Sequence, residues 1–256
     1  MGEYHFLHGD IKNALQITQI SLQDAKSINH LSANANNQRM LGRIYMRANQ
    51  MEDALDSLKM AVSVHRYSGD VIGGPLSRIF LAKLYLRSGD PEPALNHLSE
   101  AIHRAEKFGL VVATGLARLS IAEAKMQSTG ILEVDQLEKA WNHLQAAGYL
   151  RGLCDVHLLR IQSSVATGEF DAARQNLATL KERIGAVGSN EQKAETVYWE
   201  AIIDVEEGEI QKGSKKLIEL QRLAKDTVFP ELESRCKTRI DELRQSLREQ
   251  SAVAQA

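Results

Sequence analysis

Residues 41–62 read LGRIYMRANQMEDALDSLKMAV, and residues 81–102 read LAKLYLRSGDPEPALNHLSEAI. Laid over one another at a step of 40 residues, the two stretches agree at the positions that govern packing. Gly42 meets Ala82, Tyr45 meets Tyr85, Ala54-Leu55 meets Ala94-Leu95, Leu58 meets Leu98 and Ala61 meets Ala101. A further 40 residues upstream the pattern returns as Gly2, His5, Ala14-Leu15, Thr18 and Ser21. Three copies in step mark a repeat protein, whose units each lend a face to their neighbours.

The register continues downstream with irregularities. A fourth copy holds Ala122, Ala140-Trp141, Leu144 and Ala147, with a longer turn that takes in Ser128-Thr129-Gly130. A fifth runs through Ile161, Gly168-Glu169, Ala173, Leu177 and Leu180, and a sixth through Ala201, Gly208-Glu209, Gly213, Leu217 and Leu220. The anchor positions 14, 54, 94, 140, 173 and 213 are therefore 40, 40, 46, 33 and 40 residues apart.

Each copy reads as two helices. Ala54, Leu55, Leu58, Ala61 and Val62 form one face of a 3.6-residue period, as do Ala94, Leu95, Leu98, Ala101, Ile102 and Ala105. In Gly89-Asp90-Pro91 the glycine suits a helix end, the aspartate an N-cap and the proline a first turn. Gly9-Asp10, Gly168-Glu169 and Gly208-Glu209 repeat that signal. Small residues at positions 2, 42, 82, 122 and 201 on the first helices, and alanines at 14, 54, 94, 140 and 173 on the second, let paired helices approach closely.

Leu41-Gly42, Tyr45, Ala54, Leu58 and Ala61 resemble the tetratricopeptide repeat (TPR) at most of its signature positions, and Leu81-Ala82, Tyr85, Ala94, Leu98 and Ala101 do likewise. The usual unit is about 34 residues. The longer unit here resembles the TPR variety of Rap-type peptide receptors, MalT-type regulators and kinesin light chains. The resemblance covers nearly the whole chain. It implies an all-α, right-handed solenoid of about six helical hairpins over residues 1–228, a capping helix over 229–250 and a frayed tail over 251–256. Ser164 and Asp204 depart from it where an aromatic belongs, and Gly213 where alanine does.

The first unit has only about eight residues ahead of its turn where its siblings have about fourteen, which suggests a piece of a longer protein. At the other end Pro230 opens a helix whose apolar stripe is Leu232, Cys236, Ile240, Leu243 and Leu247, with a polar back. Such a stripe suits a solenoid cap. It would also serve as a short coiled-coil seam and a weak dimer contact.

Composition narrows the function. The 256 residues carry 31 Lys plus Arg against 33 Asp plus Glu, a formal charge of -2, so no global positive field draws nucleic acid or membrane. No apolar run reaches a bilayer's span, and the N-terminal MGEYHFLHGD has no signal-peptide core. The two cysteines, Cys154 and Cys236, form no motif and suit a reducing cytoplasm. The sequence holds no phosphate-binding glycine motif, no HExxH and no GxSxG, so an enzyme is not expected, nor a cofactor or metal. Gly73-Gly74-Pro75 reads as an inter-repeat turn. His5 and His8 sit at i, i+3 with no third ligand nearby, and Cys154 reads as a structural thiol.

What remains is charge on the first helix of each pair, which the TPR resemblance places on the concave surface. By that resemblance the candidate partner-binding residues are Asn36, Arg39, Arg43, Arg47, Lys83 and Arg87. Arg39, Arg43 and Arg47 are spaced i, i+4, i+8, along one face over about 12 Å. Lys83 and Arg87 form a parallel row about 10 Å away if the first helices are neighbours. Five cations in a concavity attract carboxylates or phosphates, so the expected partner is a protein or peptide with an acidic segment. The patch ends at Glu123. The pattern does not match the clamp that grips chaperone tails, because Arg39, Met40 and Arg43 stand where lysine and asparagine are used. Two roles fit: a static scaffold or adaptor, or the ligand-sensing domain of a larger MalT-like regulator.

Overall fold

The computed structural model describes residues 1–226 and 229–254. Among these the chain forms thirteen α-helices and no strand. They pair as antiparallel hairpins: α1 (Gly2–Leu7) with α2 (Ile11–Ser27), α3 (Leu31–Arg47) with α4 (Met51–Ser68), α5 (Gly73–Arg87) with α6 (Pro91–Lys107). Then come α7 (Val111–Thr129) with α8 (Val134–Ala146), α9 (Leu150–Ala166) with α10 (Phe170–Val187), α11 (Asn190–Glu206) with α12 (Ile210–Asp226), and finally α13 (Pro230–Ala254). The sequence reading of six hairpins and a last helix is what the chain adopts. Of the tail expected to fray, residues 255 and 256 lie outside the described residues, while α13 continues to Ala254.

The period is built from half-units of about 20 residues. Gly9, Asn29, Asn49, Gly69, Gly89 and Gly109 all have positive φ, and each follows or ends a helix. Asn29 and Asn49 are the two non-glycine members, and asparagine tolerates this left-handed conformation better than other side chains. After α10 the pattern changes: Gly188 is extended, at φ -70 and ψ 140, and α11 starts from a capping box of Ser189 and Gln192. Asp10 caps α2 by accepting from the Asn13 backbone N–H at 3.2 Å. Asp90 stands at the same position before α6, but its side chain makes no cap bond, contrary to expectation; Pro91 still opens the helix.

Close approach within each hairpin follows the anchors. Ala14, Ala54, Ala94, Ala140 and Ala173 are fully buried. A Cβ on Gly42 would lie 2.4 Å from Leu58 Cγ, and one on Gly213 would lie 2.6 Å from the Ala201 carbonyl oxygen, so both glycines mark contact with the partner helix. The irregular spacing around the fourth unit has a local cause. α8 begins six residues ahead of Ala140, whereas α4 and α6 begin three ahead of Ala54 and Ala94. Ser128 and Thr129, expected in the turn, belong to α7, and Gly130 ends it with positive φ.

Departures from the TPR pattern also acquire reasons. Tyr85 stacks on His97 with ring centroids 5.7 Å apart. Asp204, in the corresponding place of the sixth unit, is fully buried and receives Arg174 of α10 at 2.5 Å, Lys216 of α12 at 2.7 Å and Lys212 at 3.1 Å. An ionic knot thus replaces an aromatic contact. Burial alone would raise this carboxyl, but hydrogen bonds from Lys216, Arg174 and Lys212 outweigh it and hold it at about 2.

The last helix is integral to the core. Leu232, Cys236 and Ile240 pack with Ala201, Leu217 and Leu220, and Leu243 joins them partly buried. The stripe is taken up inside the chain through Leu243. Leu223 of α12 is exposed. Contacts also reach beyond neighbouring repeats. Asn190 at the start of α11 donates to the His8 carbonyl at 2.8 Å, and Arg87 of α5 meets Glu231 of α13 at 3.0 Å. The superhelix therefore closes on itself, whereas a simple array would join only adjacent units.

Gly42→Ala should destabilise the fold by about 1–3 kcal/mol, since the added methyl has no room beside Leu58; thermal melts against wild type check this. Asp204→Asn should cost about 2 kcal/mol above pH 4, because three charge-assisted bonds weaken together. The depressed folded-state pKa makes this contribution present above the ordinary aspartate range and lost as pH falls toward 2, so the gap between the two proteins should close on acidification.

Candidate functional site

The 40-residue step carries side chains from hairpin to hairpin at one height in the concave surface. Glu3, Arg43, Lys83 and Glu123 form one row across α1, α3, α5 and α7. The inner cations of the row pair with its outer acids: Arg43 with Glu3 at 3.4 Å, and Lys83 with Glu123 at 3.4 Å. Arg47 and Arg87, again 40 residues apart, form a second row. Arg43, Arg47, Lys83 and Arg87 all line one cavity of about 340 Å³, walled by first helices as expected. A second cavity of about 460 Å³ shares Glu123, Asp155, Leu158 and Glu195 with the first, so the two form one groove.

Four of the six sequence-predicted residues thus converge, and two do not. Asn36 is exposed and lines neither cavity. Arg39 donates to the Gly73 carbonyl at 3.3 Å and is committed to the α4–α5 junction. Burial and the nearby Arg43 push its guanidinium down to about 10. That junction is tightly built. Asp70 accepts from Ser32 Oγ at 2.9 Å and from the Gly73 N–H at 2.8 Å, and it lies 3.3 Å from buried His65. Gly73, Gly74 and Pro75, expected in the turn, are the buried start of α5. A Cβ on Gly73 would fall 2.1 Å from the His65 ring, so glycine is required there.

Arg43 and Arg47 are more embedded than a solvated patch would be. The Arg43 guanidinium lies 4.7 Å from the centres of both the Phe6 and Phe80 rings, and burial lowers its pKa. Arg47 is 6% exposed, sits 3.9 Å from the Phe6 ring centre, and donates to the Phe6 carbonyl and to Glu191. Charge reversal at Arg43 therefore disturbs packing. Lys83 and Arg87 are partly exposed and are the cleaner probes.

The facing wall is acidic, which the sequence reading missed beyond Glu123. Asp155 and Glu195 are 40 residues apart, as are Glu191 and Glu231, so the repeat step relates the members of each pair, though at a different position from the cations. Burial raises the Asp155 carboxyl to about 6 against the pull of Lys83 and the Gln192 side-chain amide. Burial likewise raises Glu195 against Arg235, 2.6 Å away. Burial works against the Lys83 ammonium, but Glu123 and Asp155 outweigh it and its pKa rises. Arg235 also lies over Tyr198, 4.1 Å from the ring centre, beside Trp199. The groove is thus bipolar, with an aromatic flank.

The remaining sequence candidates are placed elsewhere. His5 Nδ1 meets Asp10 at 3.0 Å, and His8 Nδ1 meets the Tyr4 carbonyl at 2.8 Å. Cys154 and Cys236 are both free and buried, and burial pushes each thiol up to about 11, the opposite of an activated nucleophile. Among the described residues no group of His, Cys, Asp and Glu has the arrangement of a metal site, and no helix is long and apolar enough to cross a membrane.

A concave groove lined by the first helices of six TPR-like hairpins defines the class: a helical-repeat solenoid of the long-unit TPR type. Within that class the fold is that of the Rap proteins. A Rap protein complexed with competence and sporulation factor superposes with a TM-score of 0.73 at 14% identity, over 97% of this chain and 74% of that one. Aspartyl phosphate phosphatase F from Bacillus subtilis matches at 0.66 and 16% identity, over 95% and 68%, and the apo form of RapI at 0.60 and 13%, over 97% and 96%. At such identities the likeness is one of fold. No family model and no curated protein matches the sequence.

The raised Asp155 pKa has a measurable consequence. The folded chain holds this proton more tightly than the unfolded one between about pH 4 and 6, so stability falls as pH rises through that window. Asp155→Asn should remove that part of the pH dependence; melting curves at pH 5 and pH 7 for both proteins check it.

Proposed function

We propose that the chain is a non-catalytic binding domain that holds an acidic segment of a peptide or protein partner in its concave groove. The carrying observation is the convergence of Arg43, Arg47, Lys83 and Arg87, from two neighbouring first helices, on one cavity. Side chains fixed by packing are pre-organised for charged ligands, and Arg43 and Arg47 are held by aromatic rings on α1 and α5. The occurrence of the same fold in a complex with competence and sporulation factor supports a ligand-binding role. Two buried thiols suit a reducing cytoplasm as the working compartment. The groove's chemistry does not address nucleic acid, because its cations face an equal wall of carboxylates.

A sensing role within a larger regulator is the second reading. It is favoured by the contacts between α3 and α11 and between α5 and α13, since a ligand wedged in the groove would act on both walls of the superhelix at once.

The binding reading is tested by fluorescence anisotropy with a labelled hexapeptide of alternating Glu and Ala. Affinity should fall as salt rises, because exposed charges are screened within about 8 Å at physiological ionic strength. Lys83→Gln and Arg87→Gln should each weaken binding by roughly tenfold, the equivalent of one lost charge-assisted contact. Lys59→Glu, on the exposed face of α4, should leave it unchanged. Equal affinities for all variants, or equal binding of an all-Ala peptide, would falsify the acidic-segment reading.

A further inference from the structure

The two cross-groove ion pairs share one geometry. Arg47 meets Glu191 and Arg87 meets Glu231, and each pair spans 144 residues. The two arginines are 40 residues apart on α3 and α5, and the two glutamates are 40 residues apart in the first turns of α11 and α13. Both walls therefore advance by the same repeat, and the pairs are successive rungs between opposite sides of the superhelix. A third cavity of about 170 Å³ lies where they meet, lined by Arg47, Arg87, Glu191, Glu195, Phe229 and Glu231. Arg151 of α9, 3.6 Å from Glu3 of α1, adds a parallel tie between the walls.

The rungs are asymmetric. Arg47 is fixed: its side chain is 5% exposed, lies over the Phe6 ring and is bonded to the Phe6 carbonyl. The carboxylates opposite are free to leave, with side chains 50% exposed at Glu191 and 56% exposed at Glu231. A half-exposed ion pair contributes little net stability and is screened by salt. The basic wall is thus a permanent receptor, and the acids facing it are exchangeable.

We propose that Glu191 and Glu231 are internal pseudo-ligands: they occupy the arginine sites of an acidic ligand and hold the groove closed until that ligand displaces them. The inference rests on the reading of the basic wall as a carboxylate-binding surface. It adds a regulatory step, in which binding opens the contact between α3–α5 and α11–α13. A closed, self-occupied state lowers apparent affinity by the fraction of molecules that are open.

The test uses the full chain with Glu191→Gln and Glu231→Gln combined. Both glutamate side chains are half exposed, so helicity should stay near wild type, while melting should fall modestly because buried Arg47 loses its carboxylate partner. Small-angle scattering at low salt should give a larger radius of gyration for the variant, and wild type should approach that value at high salt. The labelled Glu-Ala hexapeptide should bind the variant roughly fivefold or more tightly, as competition by the internal carboxylates is removed. A charge swap provides the control: Arg87→Glu alone should open the chain, and Arg87→Glu with Glu231→Arg should close it again. An unchanged radius in the double Gln variant overturns the proposal, whatever the peptide does. Enlargement without tighter binding also overturns it, since the acids would then be struts only. If the peptide binds neither protein, the acidic-segment reading fails and the pseudo-ligand role falls with it, while the scattering result still reports the closure separately.

Discussion

Everything in this chain depends on how closely the two helices of a hairpin can approach. Where a Cβ at Gly42 would overlap Leu58, and where Ala54, Ala94 and Ala140 have no exposed surface, the paired backbones are separated by little more than side-chain methyls. Interiors packed to this density accept few alternatives, so each hairpin is stacked on the next in one way. A fixed stacking converts a sequence period into a spatial one. Residues 40 apart then stand at one height on successive first helices, and the concave surface becomes a grid whose rows can be read from residue numbers.

That grid explains why the architecture was legible before the structure. The anchors recur in step in the first three units, and the half-period of about 20 residues is marked by Gly9, Asn29, Asn49, Gly69, Gly89 and Gly109 at positive φ. Asn29 and Asn49 carry less of that signal than glycine, which hid the half-period from inspection. The fourth unit was read less well because α8 starts earlier relative to Ala140 and α7 absorbs Ser128 and Thr129. Asp204 looked like a failure of the aromatic pattern, yet three cations from two helices make it a substitute contact. A local motif search sees only the missing ring; the replacing partners lie 8, 12 and 30 residues away.

The site was half legible for a related reason. Arg43, Arg47, Lys83 and Arg87 lie on adjacent helices, so helical spacing and a neighbouring-helix distance were enough to group them. Arg39 shares their spacing but is taken up by the α4–α5 junction, where it donates to the Gly73 carbonyl. The acidic wall was not found because grouping it with the cations requires the curvature of the whole superhelix. Asp155 lies two hairpins beyond Lys83, and Glu191 and Glu195 lie four beyond Arg47, so they meet only after the chain has curved back on itself. Curvature accumulates from small rotations at every stacking contact, and no single repeat encodes it.

Near-neutral composition takes on a spatial meaning in this light. A formal charge of -2 argued against a broad electrostatic role, and the groove shows how a balanced chain can still present strong local fields. Cations gather on α3 and α5 while carboxylates gather on α7, α9, α11 and α13, so opposite signs meet across the concavity and cancel at a distance. On the proposed binding role, selectivity arises at contact distance, where a ligand matches both walls or displaces one of them. The raised pKa values of Asp155 and Glu195 record the cost of burying carboxylates in that wall. On the opposite wall Arg47 is held by packing, buried over the Phe6 ring and bonded to the Phe6 carbonyl and to Glu191.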